Sequence, residues 1–192
     1  MEVTEEPIKV RTVDEVAARV LGLIATIGKV HFAEQNQQWL QQHNIARYLT
    51  ADEQAFINSE EPEHQQLVEF SWKAEALASL VWSLNGLISL QPFNEQFAPF
   101  SNEMVQKAIN HPELFLAEAQ LRSEDELVQM EAYLYHQHWR VRDRDYGFHN
   151  DKPDADDPNI DELDSGIVYE RRYGMSWGVG DGEDWDNVPT DT

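Results

Sequence analysis

Apolar residues in this chain recur mostly at three- and four-residue spacing. Val13, Val16, Ala17, Val20, Leu21, Ile24 and Ile27 fall on one stripe, which predicts a helix running to about Ala33. It opens on "TVDE", where Thr12 and Glu15 are spaced as a capping box, each side chain reaching the other's backbone N–H. "TADE", Thr50 to Glu53, repeats the signal ahead of a short helix carrying Ala55, Phe56 and Ile57. "SEDE", Ser123 to Glu126, opens a long helix with Leu127, Met130, Leu134 and Val141 along one face. No segment alternates with the period of two that a half-buried strand needs. The pattern therefore predicts an all-α protein, a single-domain helical bundle of about six to eight helices over residues 1–192.

The segment "FSWKAEALASLVWSLNGLISL" is apolar on more than one side. Leu77, Leu80, Val81, Leu84 and Ile88 form a stripe, and Trp72, Ala78 and Trp82 cover much of the opposite face. Such a helix belongs in the middle of a bundle. Glu75 sits on it, and a buried carboxylate there needs a cationic or backbone partner. Between Asp145 and Ser165 the pattern lapses. "DKPDADDPNIDELD" is rich in Pro and Asp, has little to bury, and is expected to form an exposed acidic loop or lid over 145–165. Helical spacing returns in "SGIVYERRYGMSWGVG" through Ile167, Val168, Arg171 and Met175, with Gly178 and Gly180 as the stop. Residues 1–10 are expected to be an N-terminal tail, and 181–192 an extended C-terminal tail packed on the domain.

Charge changes the picture more than overall composition does. The net charge is −22 over 192 residues. Nucleic acid and anionic lipid are bound through Lys and Arg on phosphate, so a surface this acidic argues against both. A basic protein partner, a cation, or solubility alone are compatible with it. The absence of cysteine removes disulfides, zinc–thiolate sites and thiol nucleophiles, and fits a reducing compartment. The apolar run "VLGLIATIG" lies between Arg19 and Lys29 and is shorter than the roughly 20 residues of a membrane span. The acidic start "MEVTEE" lacks the basic region of a secretory signal. A cytoplasmic location is expected.

Five of the nine arginines fall in "RVRDR" (Arg140, Arg142, Arg144) and "ERR" (Arg171, Arg172). From Asp145 onward there are fourteen acids against three bases, half the net charge in a quarter of the length. Guanidinium groups take carboxylates in a bidentate way that Lys does not match. The favoured reading is internal: arginines of two neighbouring helices hold Glu75, Glu170 and the acids of the closing tail. The sharper alternative is a pocket for an anionic ligand, lined by these arginines with Trp139 and Trp177. Other chemistry is weaker. His136 and His138 lie on nearly opposite sides of a helix, each beside an arginine. "DGEDWD" lacks the alternating ligands, central Gly and distal Glu of a calcium loop. There is no G-x-S-x-G elbow and no phosphate-cradling "G-x-x-x-x-G-K-S/T". No catalytic residue, metal or cofactor is assigned.

Taken in order, "RTVDEVAARVLGLIA", "LTADEQAFI", "WKAEALASLVWSL", "LRSEDEL…YHQHWRVRD", "GIVYERRYGMSWGVG" and the terminal "DWDNVPTDT" resemble the bacterial family of the domain of unknown function 4272. The resemblance runs from about Arg11 to Thr192, and the closing "WD…TDT" is its most specific part. It implies an all-helical, cytoplasmic bacterial protein and implies no activity. Its recognisable polar motifs match Glu75, Trp139, Arg140, Asp143, Glu170, Arg171, Trp177, Trp185, Asp186 and Asp191, the same arginine–carboxylate cluster. The loop "HNDKPDADDPNIDELD" looks peculiar to this sequence.

A Trp inside the most acidic stretch, "DGEDWDNVPTDT", calls for a structural role. Trp185 is expected to pin the tail between helices while Asp184, Asp186 or Asp191 meets an arginine or a helix N-terminus. Three functional classes follow. The favoured one is a non-enzymatic binding protein whose acidic surface engages a basic protein partner. The others are a small-molecule binder or enzyme using the Arg/Glu/Trp cluster, and a structural subunit of a larger assembly.

Overall fold

Three helices begin where the capping boxes place them: α1 (Val13–His43) after Thr12, α2 (Ala51–Asn58) after Thr50, and the long α6 (Glu124–Asp145) after Ser123. In each, the Ser or Thr oxygen accepts from the third helical N–H while the Glu there reaches back. The computed structural model describes residues 9–191; the expected tail 1–10 lies mostly outside them. Among the described residues there are seven α-helices and no strand, as the pattern predicted.

The stripe of α1 ends near the predicted place, but the helix does not. Phe32 takes φ −143°, a kink, and helical backbone then continues to His43. At 31 residues α1 is long and apolar enough to cross a membrane by length and composition, which corrects the shorter estimate from "VLGLIATIG". Yet 67% of its most apolar window is buried against the rest of the fold, the condition of a core helix.

The central helix α3 (His64–Ser83) carries Glu75 and is buried along its second half. Its predicted extension through Ile88 is not observed. Asn85 takes φ +65°, its N–H bonds to Trp82 O, and the Gly86 N–H bonds to Val81 O, a Schellman stop. Ile88 is consequently 97% exposed instead of lying on the core stripe. Two short helices that the periodicity did not flag, α4 (Glu103–Asn110) and α5 (Pro112–Glu118), close one end against α1.

The last helix, α7 (Ser165–Gly178), lies between α3 and α6, while α3 lies between α7 and α1. One crossing is unusually close. A Cβ on Gly174 would stand 2.6 Å from the Ala76 carbonyl oxygen, so only Gly lets α7 approach α3 there. Beside it, Ser79 Oγ donates to the Arg171 carbonyl at 2.7 Å. The core falls into two continuous groups, one around α1, α3 and the tail, the other joining α6 to α7.

Candidate functional site: a buried arginine network

Arg171 is fully buried on α7. Its Nε donates to Glu75 Oε2 at 3.0 Å, and its two Nη groups donate to the carbonyls of Gln91 and Glu95. The other oxygen of Glu75 accepts from the Phe97 N–H at 2.7 Å. The predicted need of Glu75 for a partner is thus met on both oxygens. One ion pair joins α3 to α7 and also fastens the irregular chain between Gln91 and Phe97.

Arg140 is equally buried, at 1% exposure, but its partners are different. Nε donates to both oxygens of Asp151, and Nη1 donates to Gln137 Oε1 and the Pro158 carbonyl. Asp143, one turn on, accepts from the Asn150 and Asp151 N–H groups. Arg144 holds the carbonyls of Ile160 and Leu163. The acids that meet α6 therefore come from the 145–165 loop, not from the closing tail as expected. The irregular part runs from 146 to 164, broken by a short turn at Ile160–Glu162. It is tied down on α6 by side chains whose partners are loop carbonyls and carboxylates, while most of its residues remain exposed, as its composition implied.

Glu170 meets Lys73 at 3.1 Å, and none of the arginines. Burial raises its pKa, and Lys73 opposes that shift. Arg172 reaches the tail through backbone groups: its Nη atoms donate to the Thr190 and Asp191 carbonyls at 2.8 and 2.9 Å. The Asp191 carboxylate is exposed and plays no part in this contact. Arg172 Nη1 also lies 2.7 Å from His138 Nδ1, and because a guanidinium only donates, that ring nitrogen is the acceptor. Burial, then the charges of Arg172 and Arg142, lower the His138 pKa to about 4. Trp139 is 37% exposed on the outer face of α6 and takes no part in the network.

The tail packs through its tryptophan. Trp185 is buried, edge-on to Tyr173 and Trp177 with centroids 5.2 and 5.5 Å apart, and the Arg19 guanidinium lies 5.4 Å from its ring. The Tyr173 hydroxyl donates to its carbonyl. Asp186 accepts from Thr50 Oγ1 at 2.8 Å and from the Asp52 N–H at 3.3 Å, so a tail carboxylate sits on the N-terminus of α2. Trp177 carries Arg11 5.0 Å above its ring, and Arg11 Nη2 donates to the Gly182 carbonyl at 2.7 Å.

The ten residues singled out from the sequence therefore divide. Glu75 and Arg171 form one pair, Arg140 and Asp143 hold the loop, Glu170 pairs with Lys73, and Trp177, Trp185 and Asp186 secure the tail. Sequence reasoning passed over the buried Arg19–Glu53 pair at 2.6 Å. Its signal was available: Arg19 interrupts an otherwise apolar stretch of α1, and Glu53 closes a capping box.

Among the described residues, His136, Asp154 and Asp157 present possible metal ligands within 4.8 Å of one another. Asp157 is already occupied. Its Oδ2 accepts from His136 Nε2 and the Asp154 N–H, and its Oδ1 accepts from Gln137. Desolvation would raise its pKa, but these donors, His136 first, pull it down to about 2. The group latches the loop to α6. A cleft of about 610 Å³ beside it is lined by Asp143, Asp151, Asp154, Asp157 and Asp161 together with Arg140, Arg144 and His149, so its walls carry charge of both signs with acids in excess.

Fold and site together define an all-helical protein closed by arginines turned inward onto carboxylates and carbonyls. The chain belongs to the family described as Domain of unknown function (DUF4272), which it matches over residues 2–188. No curated protein and no solved structure matches it.

Proposed function

We propose that the chain is a non-enzymatic, cytoplasmic binding protein whose acidic surface engages a basic protein partner. One observation carries this reading: the cations are used inside. Arg11, Arg122, Arg144 and Arg172 each place donors on two or more backbone carbonyls, and Lys29 Nζ sits on three, those of Phe56, Ile57 and Ser59. A cation satisfied by a neutral carbonyl leaves an acid elsewhere uncompensated. Most of the fourteen Lys and Arg are held in the fold in this way or in ion pairs, so the outer surface is more one-sidedly negative than their number implies. Such a field steers a positively charged partner and repels nucleic acid. The anionic-ligand alternative lacks comparable support, because Arg140, Arg144 and Arg171 are taken up by acceptors of the fold and Arg172 by two backbone carbonyls through its Nη atoms.

In-cell cross-linking to a tagged chain, followed by binding kinetics with the recovered partner, tests the reading. The expected partner has a basic contact surface, and its association rate falls steeply with added salt while dissociation changes less. A partner with an acidic or neutral contact surface, or association indifferent to salt, overturns it.

A further inference from the structure

Along α6, Tyr135, Trp139, Arg142 and Tyr146 follow one another at four-, three- and four-residue spacing. At about 100° per residue they fall on one narrow stripe, which from Tyr135 to Tyr146 runs about 16 Å, or three turns. Its three rings are each more than a third exposed, and Phe148 continues it with a ring centroid 5.8 Å from that of Tyr146. This spacing is the seam on which one helix packs against another. Yet α6 turns it to solvent and meets the core from a different face, through Leu127, Leu134 and Val141.

The exposure is selective. The other five tryptophans are engaged: Trp39 Nε1 donates to the Ile109 carbonyl, Trp72 packs on Gly166, and Arg122, Arg11 and Arg19 lie over Trp82, Trp177 and Trp185. Trp139 has no such partner among the described residues. The chain has thirty-six acids. Even so, the exposed positions of α6 between Glu126 and Asp145 are Gln129, Ala132, Tyr133, Tyr135 and Trp139, all uncharged.

Acids resume on both edges. His136 projects to one side of the stripe, where it and Gln137 hold Asp157, which sets the exposed Asp154 and Asp156 of the loop along that edge. His138 projects to the other side, towards Arg172. Arg172 lies 4.6 Å from the Tyr135 ring centroid and holds the Thr190 and Asp191 carbonyls, so the exposed Asp191 and the half-buried Glu131 line that edge. In the middle, Arg142 Nη2 rests on the Tyr146 hydroxyl at 3.2 Å, while Arg140, Arg144, Arg171 and Arg172 are on carboxylates or carbonyls. Once covered, Arg142 needs an acceptor from whatever covers it.

We propose that the outer face of α6 is the docking surface for an amphipathic helix of a protein partner. That helix is apolar along a seam of matching spacing, carries Lys or Arg on both flanks, and places one carboxylate or amide acceptor opposite Arg142. Burial of the Tyr and Trp rings holds it, and the acids on either edge select its charge. The proposal rests on the basic-partner reading and gives that partner a place and a form.

Selection on the full chain from a display library of helical peptides of about four turns tests it. The library carries apolar seam positions, with flanks drawn equally from Lys/Arg, Gln and Asp/Glu. Survivors with basic flanks are expected. In fluorescence anisotropy the best of them should bind about tenfold or more tighter than a scramble of the same composition. Trp139→Ala should weaken it about tenfold or more with an unchanged melting midpoint, because the ring is exposed. Asp154→Asn/Asp156→Asn should weaken it several-fold. No survivors, survivors with neutral or acidic flanks, a scramble that binds equally, or binding indifferent to Trp139→Ala overturns the proposal. So does a dimer in sedimentation that Trp139→Ala dissolves, since a second copy then covers the face. A recovered partner whose salt-steered association ignores Trp139→Ala sinks this surface and leaves the basic-partner reading standing; association indifferent to salt sinks that reading itself.

Discussion

Arg171 and Arg140 have the same side chain at the same depth, and they hold very different things. Arg171 joins two core helices, with its carboxylate partner itself only 2% exposed, and anchors two carbonyls of the segment between α3 and α4. Arg140 holds a loop, and its partner Asp151 keeps a solvent-facing side. Burial of a charge therefore says little about its energetic role until the partner is known. Where the partner is equally buried, losing the cation strands a charge in the core; where it can turn to water, the loss is local.

The largest expected effect follows from that contrast. Arg171→Ala leaves Glu75 uncompensated and is expected to cost about 3–5 kcal/mol. In a domain of this size that lowers the melting midpoint by roughly 10 °C or more in a thermal scan. Trp185→Ala comes next, at about 3 kcal/mol, because it empties a three-ring contact and frees Asp186 from α2. Truncation after Gly182 should destabilise at least as much, and an unchanged midpoint would contradict the pinning role of the tail.

Arg140→Ala is expected to cost only about 1–2 kcal/mol, the scale of lost hydrogen bonds with a partner able to resolvate. Limited proteolysis should show new cleavage within 147–156 while the helical circular dichroism is retained. The smallest effect concerns His138. Its pKa is lowered in the fold to about 4 from 6.5, so as pH falls the unfolded chain takes the proton first. This contribution is complete above about pH 6.5 and shrinks between 6.5 and 4, and the midpoint should drift down over that window. His138→Gln, which keeps an acceptor for Arg172, should flatten that part of the slope; an identical slope would contradict the assignment.

Much of this architecture could be read along the chain, and the failures have physical causes. Capping boxes at Thr12, Thr50 and Ser123 mark helix starts because they satisfy backbone donors locally, with no tertiary information needed. The end of α3 was misread because Leu84 and Ile88 keep helical spacing past a stop set by one left-handed Asn85. Trp185 was legible as an anchor, since an aromatic in an acidic tail has few other uses. The loop acids were not: Asp151 and Asp157 look solvated in sequence, and only the fold brings Arg140, His136 and Gln137 beneath them.

The measurement that tests the contrast most directly is urea unfolding of Arg171→Ala and Arg140→Ala side by side, with amide hydrogen exchange on each. The account predicts a large loss of global stability for Arg171→Ala, with faster exchange along α3 and α7. For Arg140→Ala it predicts a small loss, with faster exchange confined to 146–164 and the adjoining end of α6. Equal losses in the two variants, or an Arg140→Ala protein whose core helices open while its loop stays protected, would contradict it.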